Sequence, residues 1–239
     1  MRVVISQPMF FPWVGMFEQI RLADIFVDYN DVQLSRGSFT SRVQIKTAYG
    51  SKWLSVPLAK FRLGDRINEV QIDTKRDWKQ EHLRQLRQAY NSAQYCKDML
   101  ALVEDVYEQE HVTIGQLAYH SMLACCAYYG LNNQRRFIDV RDLQVQGTSS
   151  QRVRNIVATL GGSCYVTGLG AKNYLDHAIF EELNIRVEYM NYQKLPYPQL
   201  HGHFAPYVSL LDLIANTGPQ GIEYICSETT YWKDFLKDV

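Results

Sequence analysis

Apolar and polar positions change their period several times along the chain, and each change marks an element. Val3-Val4-Ile5 is a short continuous apolar run, the pattern of a buried strand. After a turn holding Pro12 and Gly15, residues Phe17, Ile20 and Leu22 recur at helical spacing. Ala23-Asp24 ends that helix, and Ile25-Phe26-Val27 reads as a second strand, so the chain opens with a βαβ unit. The polar stretch from Tyr29 to Phe39, with Arg36-Gly37-Ser38 at its centre, reads as a loop. Arg42 to Thr47 and Lys52 to Leu58 alternate around Tyr49-Gly50, which predicts a hairpin, and Ile67 to Asp73 reads as a third strand.

The period then becomes helical. Thr74, with Asp77 three residues on, resembles a capping box. Trp78, His82, Leu86 and Ala89 mark a first helix, and Tyr95, Met99, Leu102, Val103 and Val106 a second. Ile114, Leu117, Ala118, Ser121, Ala124, Cys125 and Tyr128 mark a third, stopped by Gly130. No Pro/Gly/Ser-rich linker flanks this block, so it reads as a helical insertion at about 75–130 within a single α/β domain spanning 1–239. Strand and helix then alternate: Phe137 to Val140, a helix capped by Thr148 or Ser149 and ended by Gly161-Gly162, Cys164 to Val166, a short helix over Ile179 to Leu183, and Val187 to Tyr192. After a loop with three prolines, the tail reads as helical over Ser209 to Asn216 and Gly221 to Leu236. The fold class expected is α/β, with a mainly parallel Rossmann-like sheet, an antiparallel hairpin and the helical insertion.

Composition narrows the partners. Lys and Arg number 25 and Asp and Glu 25, so net charge gives no argument for nucleic acid. No apolar run approaches the roughly 18 residues of a membrane span, and no signal-peptide pattern is read at the start. Five cysteines without paired spacing suggest reduced thiols, and a cytoplasmic location is expected, with neither disulfide nor structural metal.

Candidate chemistry concentrates after strand ends, where open α/β sheets bind ligands. Ser6 and Gln7 follow the first strand directly, and Trp13 and Gly15 occupy the turn whose helix start could offer free N–H groups to an anion. Asp31, Gln33, Arg36, Ser38, Arg42, Lys46 and Lys52 gather polar and basic groups that could hold a diphosphate, or simply form a solvated loop and hairpin face. Thr167-Gly168-Leu169-Gly170-Ala171-Lys172 follows another strand; its backbone could approach a phosphate with Lys172 adding charge, though a structural turn is the commoner use of such a run. It lacks the P-loop spacing. His201-Gly202-His203 could supply a metal pair or, at His203, a general base, yet no third ligand is near in sequence and no metal is assigned. Asp212 sits on the first turn of an apolar helix, which makes it either a paired structural ion or an active-site carboxylate.

The runs SQPMFFPWVGMFEQI, LADIFV, DVQLSRGSFTSRVQIKT, TGLGAKNYLD, PYPQLHGHF and PYVSLLDLIANTG resemble the WbqC-like family over nearly the whole chain. That resemblance implies a place in bacterial surface polysaccharide (O-antigen) synthesis, and Tyr174 and Asp176 fall inside its Gly-rich motif. The opening turn is similar, more weakly, to nucleotidylyltransferase- and pantothenate-synthetase-like enzymes, with Pro12, Gly15 and Ala23-Asp24 in comparable order. Trp13 and Met16 stand near the places of that turn's two histidines, so the likeness reaches a nucleotide cradle and not a reaction. The expectation is an enzyme that transfers an acyl or aminoacyl group to a nucleotide-linked amino sugar, with Ser6, Asp31, His203 and Asp212 as catalytic candidates. A non-catalytic nucleotide-sugar-binding or scaffold protein of the same pathway, or an ATP-dependent nucleotidylyl-transfer or ligase-type enzyme, are the alternatives. The small-molecule partner is then a nucleotide-sugar, and any bound nucleotide is that substrate or ATP; the oligomeric state is left open.

Overall fold

The computed structural model describes residues 1–237. The opening unit forms as the apolar pattern predicts: β1 (Arg2–Ser6), α1 (Val14–Leu22) and β2 (Ile25–Asp28). β3 (Arg42–Thr47) and β4 (Gly50–Ser55) form a separate antiparallel hairpin, Arg42 opposite Ser55 and Thr47 opposite Gly50. Three helices follow: α2 (Trp78–Tyr90), α3 (Cys96–Glu108) and α4 (Ile114–Tyr128). Then come β5 (Arg136–Asp139), α5 (Ser149–Thr159), β6 (Cys164–Thr167), α6 (Ala178–Glu181) and β7 (Arg186–Tyr192). The chain closes with α7 (Leu210–Thr217), β8 (Ser227–Tyr231) and α8 (Trp232–Phe235).

Six strands make one sheet in the order β5-β2-β1-β6-β7-β8. The first five are parallel, and β8 runs antiparallel to β7 at the edge. β1 is central, with Val3 beside Ile25 on one side and Tyr165 on the other. Side chains alternate faces along each strand. Val4, Phe26, Val166 and Met190 point into a core shared with α1, the hairpin, α2 to α4 and α7. Val3, Ile5, Ile25, Val27, Tyr165 and Val187 point into a second core closed by Ile156 and Val157 of α5 and Phe180 of α6. Both faces are covered, which is why these strands read as continuous apolar runs.

Four sequence expectations change. The third strand over 67–73 does not form: Ile67 and Asn68 donate to Val32 and Asn30 of the loop after β2 while Ile72 donates to Val112, so the stretch is split between two segments and no ladder propagates. β4 stops at Ser55, two residues before Pro57, which has no N–H to donate. The cap of α2 is Asp77, whose carboxylate accepts from the Gln80 N–H at 3.2 Å, and not Thr74. Within the expected tail helix, Ser227 to Tyr231 instead pairs with β7, consistent with the strand preference of Thr229, Thr230 and Tyr231. Among the described residues no helix is long and apolar enough to cross a membrane.

Candidate functional site: the crevice between β1 and β6

The chain moves from β1 outward to β2 on one side, and from β6 outward to β7 on the other. Strand order therefore reverses between β1 and β6, and in open α/β sheets the carboxyl ends at such a point frame the ligand crevice. The turn after β1, with Ser6 and Gln7, and the turn after β6, with Thr167, Gly168 and Gly170, meet there around a cavity of about 410 Å³. Gln19 of α1, Tyr29 after β2, Tyr192 at the end of β7 and Tyr174 complete its polar and aromatic wall. No Asp, Glu, Lys or Arg belongs to this wall. Hydroxyls, amides and aromatic faces without fixed charge suit an uncharged, hydroxyl-rich ligand.

Close packing sets the wall. A Cβ on Gly168 would stand 2.8 Å from the Tyr192 hydroxyl, so the turn after β6 admits that tyrosine only because residue 168 is glycine. Tyr192 packs on Trp13, ring centroids 5.1 Å apart. The Trp13 ring in turn lies over Gly15, where a Cβ would come within 2.1 Å of it. Trp13 and Gly15 thus support the crevice from behind. This departs from the expected anion cradle at the start of α1. Pro12 accepts from the Leu210 N–H at 2.7 Å, Trp13 bridges to Ser209, and Val14 and Met16 are buried, so the first turn of α1 faces α7 and the crevice meets its second turn at Gln19.

A second cavity, of about 490 Å³, lies along the same carboxyl edge beside α5. Asp31 is on its wall, held by Arg152 through bonds of 2.8 and 2.5 Å, with both side chains largely buried. Arg152 also donates to the Tyr29 hydroxyl at 3.3 Å. Tyr29 and Val153 face the crevice while Asp31 and Arg152 face the second cavity, so the two spaces share a wall. Asp31 is therefore committed to an ion pair and shapes this wall.

The remaining candidates stand elsewhere. The Arg42 guanidinium lies 4.1 Å from the Trp53 ring centroid and Arg36 sits over Phe61, tying the loop to the hairpin region. Gln33 pairs through its backbone with Arg66, and the Ser38 N–H donates to Ser35. Lys172 is half-buried, its Nζ 6.0 Å from the Phe235 ring centroid. Lys46 is buried and donates to Gln199 Oε1 and the Gly202 carbonyl, each at 3.1 Å. Asp212 is 0% exposed and accepts from the Tyr90 and Tyr197 hydroxyls, both at 2.9 Å. Burial pushes its carboxyl above the ordinary aspartate range, against the two hydroxyls, which lower it. Both Asp212 oxygens are thus occupied, in a buried knot that fastens α7 to α2 and the 193–206 loop. His203 is exposed in that loop, while His201 meets the Ala89 carbonyl at 2.8 Å. Among the described residues no group of three or more His, Cys, Asp or Glu side chains could hold a metal ion, and all five cysteines are free.

Residues that the sequence did not single out do much at this edge. Asp28 ends β2, in register with Ser6, and is 2% exposed. Its Oδ2 accepts from Asn30 at 2.7 Å, and Asn30 also donates to Asp139 at 3.0 Å. Asp28 Oδ1 and Asn30 Oδ1 are buried without a partner. Burial raises the Asp28 carboxyl to about 7; the Asn30 hydrogen bond opposes this and nearby Asp139 adds to it. The available signal for Asp28 was position alone, a carboxylate at the end of an apolar strand. For Arg152 it was a cation on the opening turn of a helix, against the helix dipole, which calls for a partner such as Asp31.

The model of the WbqC-like protein family matches residues 7–224. The chain is also similar to the uncharacterized protein Rv1507c of Mycobacterium tuberculosis (strain ATCC 25618 / H37Rv), 32% identical over 227 residues that cover 94% of this chain and 97% of that protein. No solved structure matches.

Proposed function

The chain belongs to the WbqC-like protein family, and from that premise we propose that it is an enzyme of bacterial surface polysaccharide (O-antigen) assembly. It binds a nucleotide-linked amino sugar at the carboxyl edge of the sheet and transfers an acyl or aminoacyl group to the sugar amine. The observation that carries the reading is the uncharged crevice at the β1/β6 switch point, walled by Ser6, Gln7, Gln19, Thr167 and tyrosines. Amide and hydroxyl side chains there exchange hydrogen bonds with sugar hydroxyls, and tyrosine rings cover the sugar's apolar faces. In the reaction the amine nitrogen attacks the carbonyl carbon of an already activated donor, the leaving group departs with the electron pair of the broken bond, and it takes up the proton that the nitrogen gives up. The crevice residues hold and orient the amine, and orientation alone contributes much of the rate in such transfers. On this reading the protein acts in the cytoplasm as one α/β domain, with α2 to α4 as an insertion.

A second reading, a nucleotide-sugar-binding or scaffold protein of the same assembly line, is favoured by one observation: Asp31 and Asp212 are both locked in structural contacts. Incubation with UDP- and TDP-linked amino sugars and an activated acyl donor, followed by mass spectrometry, separates the two. A product heavier by the acyl group supports the enzyme; saturable binding without product supports the scaffold; neither binding nor product removes both.

A further inference from the structure

The ligand proposed above carries phosphate, yet the crevice wall holds no cation. Cations stand next door. Arg66, Arg141 and Arg152 line the second cavity together with Gly147, on the far side of the Tyr29–Arg152 wall. Arg152 is neutralised by Asp31 and Arg141 by Asp139, whose carboxylate takes bonds of 2.6 to 3.1 Å from the guanidinium. Arg66 forms no ion pair among the described residues and is exposed to the cavity side of the surface. The cavity also borders the start of α5. Thr148 is the residue before that helix and supplies no side-chain cap, so the first N–H groups and the positive end of the dipole are left for another acceptor. Gly147, with φ of 122°, brings the backbone round to this position in a conformation that side chains disfavour.

We propose that this arginine cavity is the anion subsite of the same site, and that it takes the phosphate groups of a ligand whose uncharged part lies in the crevice. The inference rests on the reading of a nucleotide-linked substrate for its ligand, but not for its chemistry: one free guanidinium and two paired guanidinium groups with donors to spare converge on one space, beside Gly147 just ahead of α5. The balance of charge on the cavity wall, three arginines against Asp31, favours an oxyanion over a cation or a neutral group. Asp139 pairs with Arg141, and Asp28 and Asp142 also stand near that guanidinium, so the pull on an anion rests chiefly on Arg66, which has no ion pair among the described residues.

Inorganic pyrophosphate is the probe, titrated calorimetrically into the 239-residue chain and its variants. Arg66 is exposed, so Arg66→Gln folds, which thermal unfolding checks. The expected result is saturable binding by the wild type, weakened about tenfold or more in Arg66→Gln, since one charge-assisted contact is lost. Arg66→Lys retains part of it, and Tyr174→Ala in the crevice leaves it unchanged. No pyrophosphate binding up to millimolar concentration, equal affinity in Arg66→Gln, or an equal loss in Tyr174→Ala overturns the subsite. Arg66-dependent pyrophosphate binding without affinity for any nucleotide-linked sugar supports the subsite and removes the nucleotide-sugar reading instead.

Discussion

The hydroxyl of Tyr192 rests against Gly168, at 2.8 Å from the position a Cβ would take there. The contact joins the turn after β6 to the end of β7, and through the Trp13 ring to the loop after β1. Real Cβ atoms do not approach so closely, so Gly168→Ala must displace Tyr192. The tyrosine Cζ lies 3.8 Å away, an ordinary contact, so the clash belongs to the hydroxyl alone. Gly168→Ala is expected to weaken nucleotide-sugar binding by about tenfold, the equivalent of about 1.4 kcal/mol. The double variant Gly168→Ala with Tyr192→Phe recovers most of that loss. Calorimetric affinities of the two single variants and the double one check this; a double variant no better than Gly168→Ala contradicts it.

Asp212 tests the division between scaffold and site. Truncating it leaves two buried tyrosine hydroxyls without their acceptor, so Asp212→Ala is expected to cost about 2–4 kcal/mol of stability, from two lost buried hydrogen bonds and their desolvation. Tyr90→Phe costs less, because a buried donor is then removed together with its need for a partner, though the Lys46 N–H also loses its acceptor. Below its unfolding transition, Asp212→Ala keeps the wild-type affinity for the ligand. Urea denaturation and a titration at low temperature measure the two separately; wild-type stability with lost affinity would make Asp212 part of the site.

Asp28 predicts a pH dependence of stability. Its carboxyl is raised from an ordinary 3.8 to about 7 by burial, so between those values the folded protein holds a proton that the unfolded chain has released. Stability from this group is therefore complete below pH 3.8 and declines as pH rises toward 7, with a slope of up to about 1.4 kcal/mol per pH unit. Asp28→Asn removes that decline, because an amide does not ionise. Denaturation midpoints measured from pH 4 to 8 should fall in wild type relative to Asp28→Asn; parallel curves would show that Asp28 titrates normally.

Much of the fold was legible because each buried strand is short and apolar on both faces, and α2 to α4 carry clear helical periodicity. Ser6, Gln7, Gly168 and Gly170 could be placed on one edge from sequence, since they lie at or just after strand ends and parallel strands present those ends on one edge, whereas Tyr174 entered only through the resemblance of its Gly-rich run, and Trp13, Arg36, Arg42 and Lys172, expected in the same pocket, do not line it. Arg36, Arg42 and Lys46 could not be excluded that way. Their partners, Phe61, Trp53 and the carbonyl of Gly202, lie 25, 11 and 156 residues away, and single-residue spacing carries no trace of the contacts. Arg152 escaped for the same reason, being 121 residues from Asp31. β8 was missed because its five residues have little apolar alternation; it forms by pairing with the exposed edge of β7, a tertiary event.

The central claim is that the crevice between β1 and β6 binds the nucleotide-linked sugar. Tyr174 is 65% exposed on its wall, so Tyr174→Ala removes an aromatic face without a packing cost, while Arg42, stacked on Trp53, stands outside the cavity. Calorimetric titration of wild type, Tyr174→Ala and Arg42→Ala with UDP- and TDP-linked amino sugars tests it most directly. The expected result is saturable binding by wild type, about tenfold weaker in Tyr174→Ala and unchanged in Arg42→Ala. No binding by wild type, or a loss confined to Arg42→Ala, would contradict it.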